Sequence, residues 1–210
     1  MSTVLQTREL APFQRAAGIT NVNLERRTVE VIFSTGAAVE RVDSFTGQRY
    51  LEKLSLEPGH IDLSRLNSGA PVLDSHVAYH MGDILGVVER ASLEGGRAVA
   101  TLRFSQRATD VWMDVVDRIL TAVSVGYRVA KYVEEAGKGG ALAVRTAINW
   151  TPYEISMVSM AADVGAKVRS GRGDMNPCEI VRVNPSSPVW TAIDDAARIA
   201  RFERLKAVEW

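Results

Sequence analysis

The sequence predicts a mainly β fold with helices (α+β), built as an antiparallel barrel or a strongly curved sheet, and three observations predict it. Short apolar segments either alternate with period two or are rich in β-branched residues. Tight glycine-containing turns, Thr46-Gly47 and Glu94-Gly95-Gly96, join several of them as hairpins. One central stretch, 108–120, switches to a helical period. Seven or eight strands connected in this way do not read as a doubly wound sheet, which needs a crossover between successive parallel strands.

Residues 1–26 carry scattered charges and no sustained period, so they read as an arm leading into the first strand. In 28–33, Val29, Val31 and Phe33 alternate as a strand, and 39–42 with 49–54 make a hairpin around Thr46-Gly47. Pro58-Gly59 closes that unit. The stretch 61–66 has room for one or two helical turns before Ser68-Gly69, and Pro71-Val72-Leu73 follows as a strand. A second hairpin pairs 84–93 with 97–104. Val111, Trp112, Val115, Val116, Ile119 and Leu120 then recur at helical spacing, with Asp110, Asp114 and Asp117 off the apolar stripe. Three further strands are expected at 123–133, 141–150 and 153–160, the first two separated by Gly137-Lys138-Gly139-Gly140. The core domain spans 27–170. Breakers from Gly171 through Pro188 mark 171–188 as a linker, and 189–210 reads as a helical tail with Trp190, Ile193, Ala197, Phe202 and Leu205 loosely on one side.

Composition bounds the function. The 210 residues carry 25 basic and 25 acidic side chains, a net charge of zero, which offers no general pull toward nucleic acid or an anionic membrane. An apolar share of 46% fits a globular chain that buries roughly 70% of its unfolded surface. Cys178 is the single cysteine, so no internal disulfide is expected, and with three histidines no Cys-rich zinc site is expected either. No apolar run approaches the ~20 residues of a membrane span, and the N-terminus lacks a signal-peptide core. An intracellular chain without cofactor, membrane or nucleic-acid partner is the expectation.

Chemistry must come from few residues. His60 follows Pro58-Gly59 in a loop and reads as solvated. His76 closes the strand-like run Pro71-Val72-Leu73-Asp74-Ser75-His76, where a rigid strand hands over to a loop, a usual place for a working side chain. His80 would join His76 in a helical i, i+4 metal pair only if 76–80 were helical, and Gly82 argues against that. In Ser124-Val125-Gly126-Tyr127, strand alternation sends Val123, Val125, Tyr127 and Val129 to the core. Ser124, Gly126 and Arg128 are left on the other face as a small patch. A serine attacks a carbonyl only with a base, and the base needs an orienting group. His76 is the candidate base. For the orienter, Glu154 opens an apolar strand where a lone carboxylate is out of place, while Asp74 and Asp83 flank His76 and compete for the role.

The order of these motifs resembles the prohead (capsid maturation) proteases of tailed phages, the HK97-type family. The similarity rests on a strand ending in His76, then Ile84-Leu85-Gly86-Val87-Val88, then a helix before Ser124-Val125-Gly126-Tyr127, then Glu154-Ile155-Ser156-Met157-Val158. Ala161-Ala162-Asp163 followed by Ala166 is similar to the family's close, with Ala161 in place of the usual proline. Together these cover about 28–169. The resemblance implies a fold like the herpesvirus assemblin protease, a β-barrel flanked by helices. It also implies a serine protease with Ser124 as nucleophile, His76 as general base and Glu154 as orienter, Arg128 sharing the Ser124 face.

The function expected from that resemblance is a serine endopeptidase of phage capsid maturation in the bacterial host cytoplasm, inside the procapsid. Its substrates would be scaffold protein and the scaffolding segment of the major capsid protein, with autocleavage in the tail and a possible homo-oligomer. Two other readings stand beside it. One is a non-catalytic capsid assembly or scaffold protein that keeps the fold to bind capsid subunits; the other is a metal-dependent hydrolase using His76, His80 and Asp83.

Overall fold

The structure is a computed structural model that describes residues 5–10, 13–159 and 176–183. Among these described residues eleven strands form a single sheet: β1 (Leu5–Leu10), β2 (Phe13–Asn23), β3 (Thr28–Ser34), β4 (Val39–Val42), β5 (Arg49–Leu54), β6 (Pro71–Asp74), β7 (Ile84–Glu94), β8 (Arg97–Phe104), β9 (Ala122–Glu135), β10 (Ala143–Met157) and β11 (Asn176–Val183). Among the described residues two α-helices accompany them, α1 (Ser64–Asn67) and α2 (Thr109–Val116). Among the described residues no helix is long and apolar enough to cross a membrane.

The alternation read from the sequence is what the strands bury. Val29, Val31 and Phe33 of β3 point inward with Ala98, Ala100, Leu102 and Phe104 of β8, while Glu30 is exposed. β7 and β8 form the hairpin over Gly95 and Gly96, both at positive φ, which a two-residue turn demands and glycine supplies without strain. The β4–β5 hairpin likewise turns at Gly47, φ 70°. Trp112 of α2 packs on Phe104, ring centroids 5.4 Å apart, and seals one end of the core.

β10 organises the sheet. It pairs antiparallel with β9 from Val144 to Met157, and on its other side it pairs parallel with β5 at Ala143–Ala147 and with β6 at Ile155–Met157. β11 also runs parallel to β9. The fold is therefore mainly β with few helices, but the antiparallel barrel expected from the hairpin-like connections is corrected to a mixed sheet. β9 and β10 pair along their length and fold the sheet back on itself; it nevertheless ends in two edge strands, β1 and β4, in place of a fully closed barrel.

Several local expectations change. The arm 1–26 contains β1 and β2, and β2 pairs with both β3 and β9. The linker 171–188 contains β11, seated between β1 and β9, so its Asn176-Pro177 does not prevent pairing at a strand's first residues. The strands expected at 141–150 and 153–160 are the single β10. Pro152 sits inside it opposite Tyr127, next to a register shift between Pro152 and Glu154 that absorbs the missing donor. The helix expected over 108–120 stops at Val116: Arg118 adopts φ 59°, and the amides of Asp117 and Arg118 turn back to Met113 and Val115. Ile119, expected on the apolar stripe, is exposed as a result. The tail 189–210 and the Ala161-Ala162-Asp163 segment lie outside the described residues.

Candidate functional site

The site is assembled where β6 ends against the last residues of β10. Leu73 and Asp74 pair with Ser156 and Met157, and the ladder continues one step as the Ser75 amide donates to the Met157 carbonyl at 2.9 Å. The chain then turns sharply: Ser75 and His76 both adopt left-handed backbone, φ 49° and 63°. Two consecutive non-glycine residues in that region cost about 1–3 kcal/mol each and persist only when neighbours enforce them. Here the Val77 amide bonds the Asp74 carbonyl and the His76 amide donates to Ser156 Oγ at 3.0 Å.

The turn swings the His76 ring onto Glu154. Nδ1 lies 2.7 Å from Glu154 Oε1, and the second carboxylate oxygen accepts from Ser156 Oγ at 2.6 Å. Glu154 is almost fully buried and His76 partly so. A buried carboxylate is tolerated only when bonded, and each oxygen of this one has a donor. Of the three carboxylates competing for His76, the structure brings Glu154 to it. Asp74 accepts from the Ser75 hydroxyl, and Asp83 accepts from the amides of Tyr79 and His80, organising the exposed turn at 77–83. His76, His80 and Asp83 do not converge, and among the described residues no group of three or more His, Cys, Asp or Glu is placed to hold a metal. His60 lies elsewhere, with Nδ1 2.7 Å from Ser55 Oγ.

Ser124 is placed beside this pair but not joined to it. It pairs across β9 and β10 with Ser156, as Gly126 pairs with Glu154, so the four share one face of the sheet. Alternation leaves Ser124 in a small patch off the core-facing set, but the structure buries it to 2% exposed, with Ser156 of β10 beside it in the sheet on one side and β2 on the other. Its Oγ is buried without a hydrogen-bond partner among the described residues, so the bond a Ser–His pair would make is not formed. Arg128 does not reach toward Ser124; its guanidinium lies 5.5 Å from the Tyr153 ring centroid. Burial first, and then the charge of Glu154, push the Tyr153 phenol up to about 12. What the arrangement offers chemically is an imidazole in contact through Nδ1 with a buried carboxylate, a pairing in which a neutral ring that donates from Nδ1 leaves Nε2 as an acceptor.

A second polar cluster was not anticipated. Glu52 on β5 is fully buried, accepting from Arg41 Nε at 3.3 Å, from Tyr127 Oη at 2.5 Å and from Tyr132 Oη. Beside it, Arg145 bonds Asp43 at 2.7 Å and Glu134 at 2.5 Å and stacks 4.2 Å above the Tyr50 ring. The available signal is charge inside alternating segments: Glu52 and Arg41 sit in a hairpin that pairs with β10, and the tyrosines that meet Glu52, Tyr127 and Tyr132, lie one strand further on, in β9. Nothing in one sequence assigns β9 and β10 to that hairpin.

The comparisons bear on the site's meaning. No protein-family model matches the chain, and no solved structure matches it. The chain is similar to the major capsid protein of Halomonas phage phiHAP-1, 41% identical over 116 residues, which is 54% of this chain and 19% of that protein. The chain thus spans about a fifth of the curated relative it matches. That relative is named a capsid protein, not a peptidase, and the finding overturns the expectation of a serine endopeptidase of capsid maturation with coat and scaffold proteins as substrates. The similarity it establishes is to a phage capsid-related protein.

Proposed function

We propose that this chain is a structural, non-catalytic component of phage capsid assembly, working in the shell by binding capsid subunits. The observation that carries this reading is the 41% identity to a phage major capsid protein over more than half of the chain. Two features of the molecule support it. The Ser124 hydroxyl is buried and makes no hydrogen bond to His76. The sheet ends in the short edge strand β4, where Val42 and, in its hairpin loop, Phe45 are exposed, a combination suited to contact with another polypeptide.

The test is co-expression of the full chain, wild type and Ser124→Ala, with a capsid protein of the kind it resembles, followed by gradient purification of shells. The expected result is that both forms travel with shells in the same fixed ratio and that the coat polypeptide keeps the same length with either. Shells lacking the chain would overturn the proposal. So would a coat polypeptide shortened by wild type and full-length with Ser124→Ala, or labelling of Ser124 by a fluorophosphonate.

A further inference from the structure

Ser156 has no role in the capsid reading, yet its hydroxyl touches both members of the His76–Glu154 pair. It is fully buried on β10, and its hydroxyl serves two elements at once: Oγ donates to Glu154 Oε2 at 2.6 Å and accepts from the His76 backbone amide at 3.0 Å. A hydroxyl has one donor and two acceptor sites, so both bonds coexist. With Oε1 on His76 Nδ1, the carboxylate is held at both ends. A carboxylate held by one oxygen alone turns readily about its last torsion, which is broad and two-fold, and the second bond removes that freedom. The same hydroxyl helps keep His76 in its left-handed backbone, φ 63°, which carries the ring to Glu154.

We propose that Ser156 is the positioning residue of this cluster, tying the Glu154 carboxylate to the His76 backbone and so holding the imidazole in the Nδ1–H tautomer with Nε2 left as an acceptor. Serine is suited to the place. It follows Ile155 in a buried strand where its neighbours are apolar, and its side chain shares the Glu154 face two residues on. The role is independent of what the chain binds, because it concerns a ring and a carboxylate already in contact.

The test uses the full chain with its three histidines labelled with nitrogen-15, and it reads the tautomer of His76 at a pH where the ring is neutral, alongside the melting temperature. Wild type is expected to show one tautomer, with Nδ1 protonated. Ser156→Ala is expected to show the average of both tautomers in a chain that still melts cooperatively, and Ser156→Thr, which keeps the hydroxyl on a strand-compatible side chain, to restore the single tautomer. Glu154→Gln serves as the reference for loss of the carboxylate. A folded Ser156→Ala chain that keeps a single Nδ1–H tautomer overturns the proposal. If that variant does not fold, hydrogen exchange in the wild type decides: the His76 amide should exchange at least about tenfold more slowly than an unprotected peptide. Exchange at the unprotected rate overturns the proposal as well.

Discussion

Gly126 on β9 lies directly beneath the carboxylate of Glu154 on β10, so close that a Cβ built on the glycine would stand 2.1 Å from Oε1 and 2.9 Å from the carboxyl carbon. The glycine is there for space, since the pair are cross-strand partners and the acid must lie over the neighbouring strand to reach His76. Gly126→Ala is therefore expected to displace Glu154 and break its bond to His76. Overpacking of this kind costs about 1–3 kcal/mol. Urea denaturation gives the cost and the His76 tautomer gives the lost contact; an alanine variant unchanged in both would show that the carboxylate has room to move.

Ser124→Ala runs the other way. A buried hydroxyl without a partner costs its desolvation and returns nothing, so removing it should leave stability unchanged or raise it by about 1 kcal/mol. The denaturation midpoint checks this. A loss of 1 kcal/mol or more would mean that the hydroxyl has a partner and contributes to the fold.

Glu52→Gln is expected to be among the most damaging single changes. It leaves Arg41 and two buried phenols facing a neutral amide in place of a carboxylate. Breaking a buried pair by removing one charge costs about 3–5 kcal/mol. The measurement is equilibrium unfolding in urea, with Glu40→Gln as the control: its partner Arg49 is well exposed, and an exposed pair contributes about 0–1 kcal/mol.

Acid should unlock the neighbouring cluster. Burial raises the Asp43 carboxyl, but the hydrogen bond from Arg145 and those from the Thr46 and Phe45 amides outweigh it and bring the group down to about 2. Its folded value lies below the unfolded one of roughly 3.9, so its contribution is complete above about pH 4 and is lost as pH falls toward 2. Glu134 acts in the same sense: burial raises it, and the bonds from Arg145 and Arg182 lower it further than burial lifts it. Melting temperature should fall steeply between pH 4 and pH 2 in wild type and less steeply in Asp43→Asn. Equal slopes would show that the Asp43–Arg145 contact does not survive in solution.

Much of the local structure was legible because it depends on neighbours in the chain. The alternation of Val29, Val31 and Phe33, the hairpin turns at Gly47 and at Gly95-Gly96, and the burial of Trp112 and Val115 on α2 follow from side-chain period and backbone freedom. Structure and local signal part where strand pairing overrides the latter. The strands expected at 141–150 and 153–160 are one, because β10 continues through Pro152 with β9 paired to it on both sides of the register shift. Asn176-Pro177 looked like linker, but β1 and β9 provide edges for that segment to join.

The site divides along the same line. Sequence by itself determined a mainly β chain, a histidine at a strand end, a serine and a glycine alternating on one strand, and a carboxylate out of place in another, because each of these is a property of a short segment. Only the tertiary structure decided that β6 and β10 run parallel, that Ser156 joins Glu154 to the His76 backbone, and that the Ser124 hydroxyl is buried without a hydrogen-bond partner among the described residues. Those relations join segments far apart in the chain, His76 and Ser156 being 80 residues apart. They are set by register and by the need of each buried polar atom for a partner, and no period within one segment encodes either.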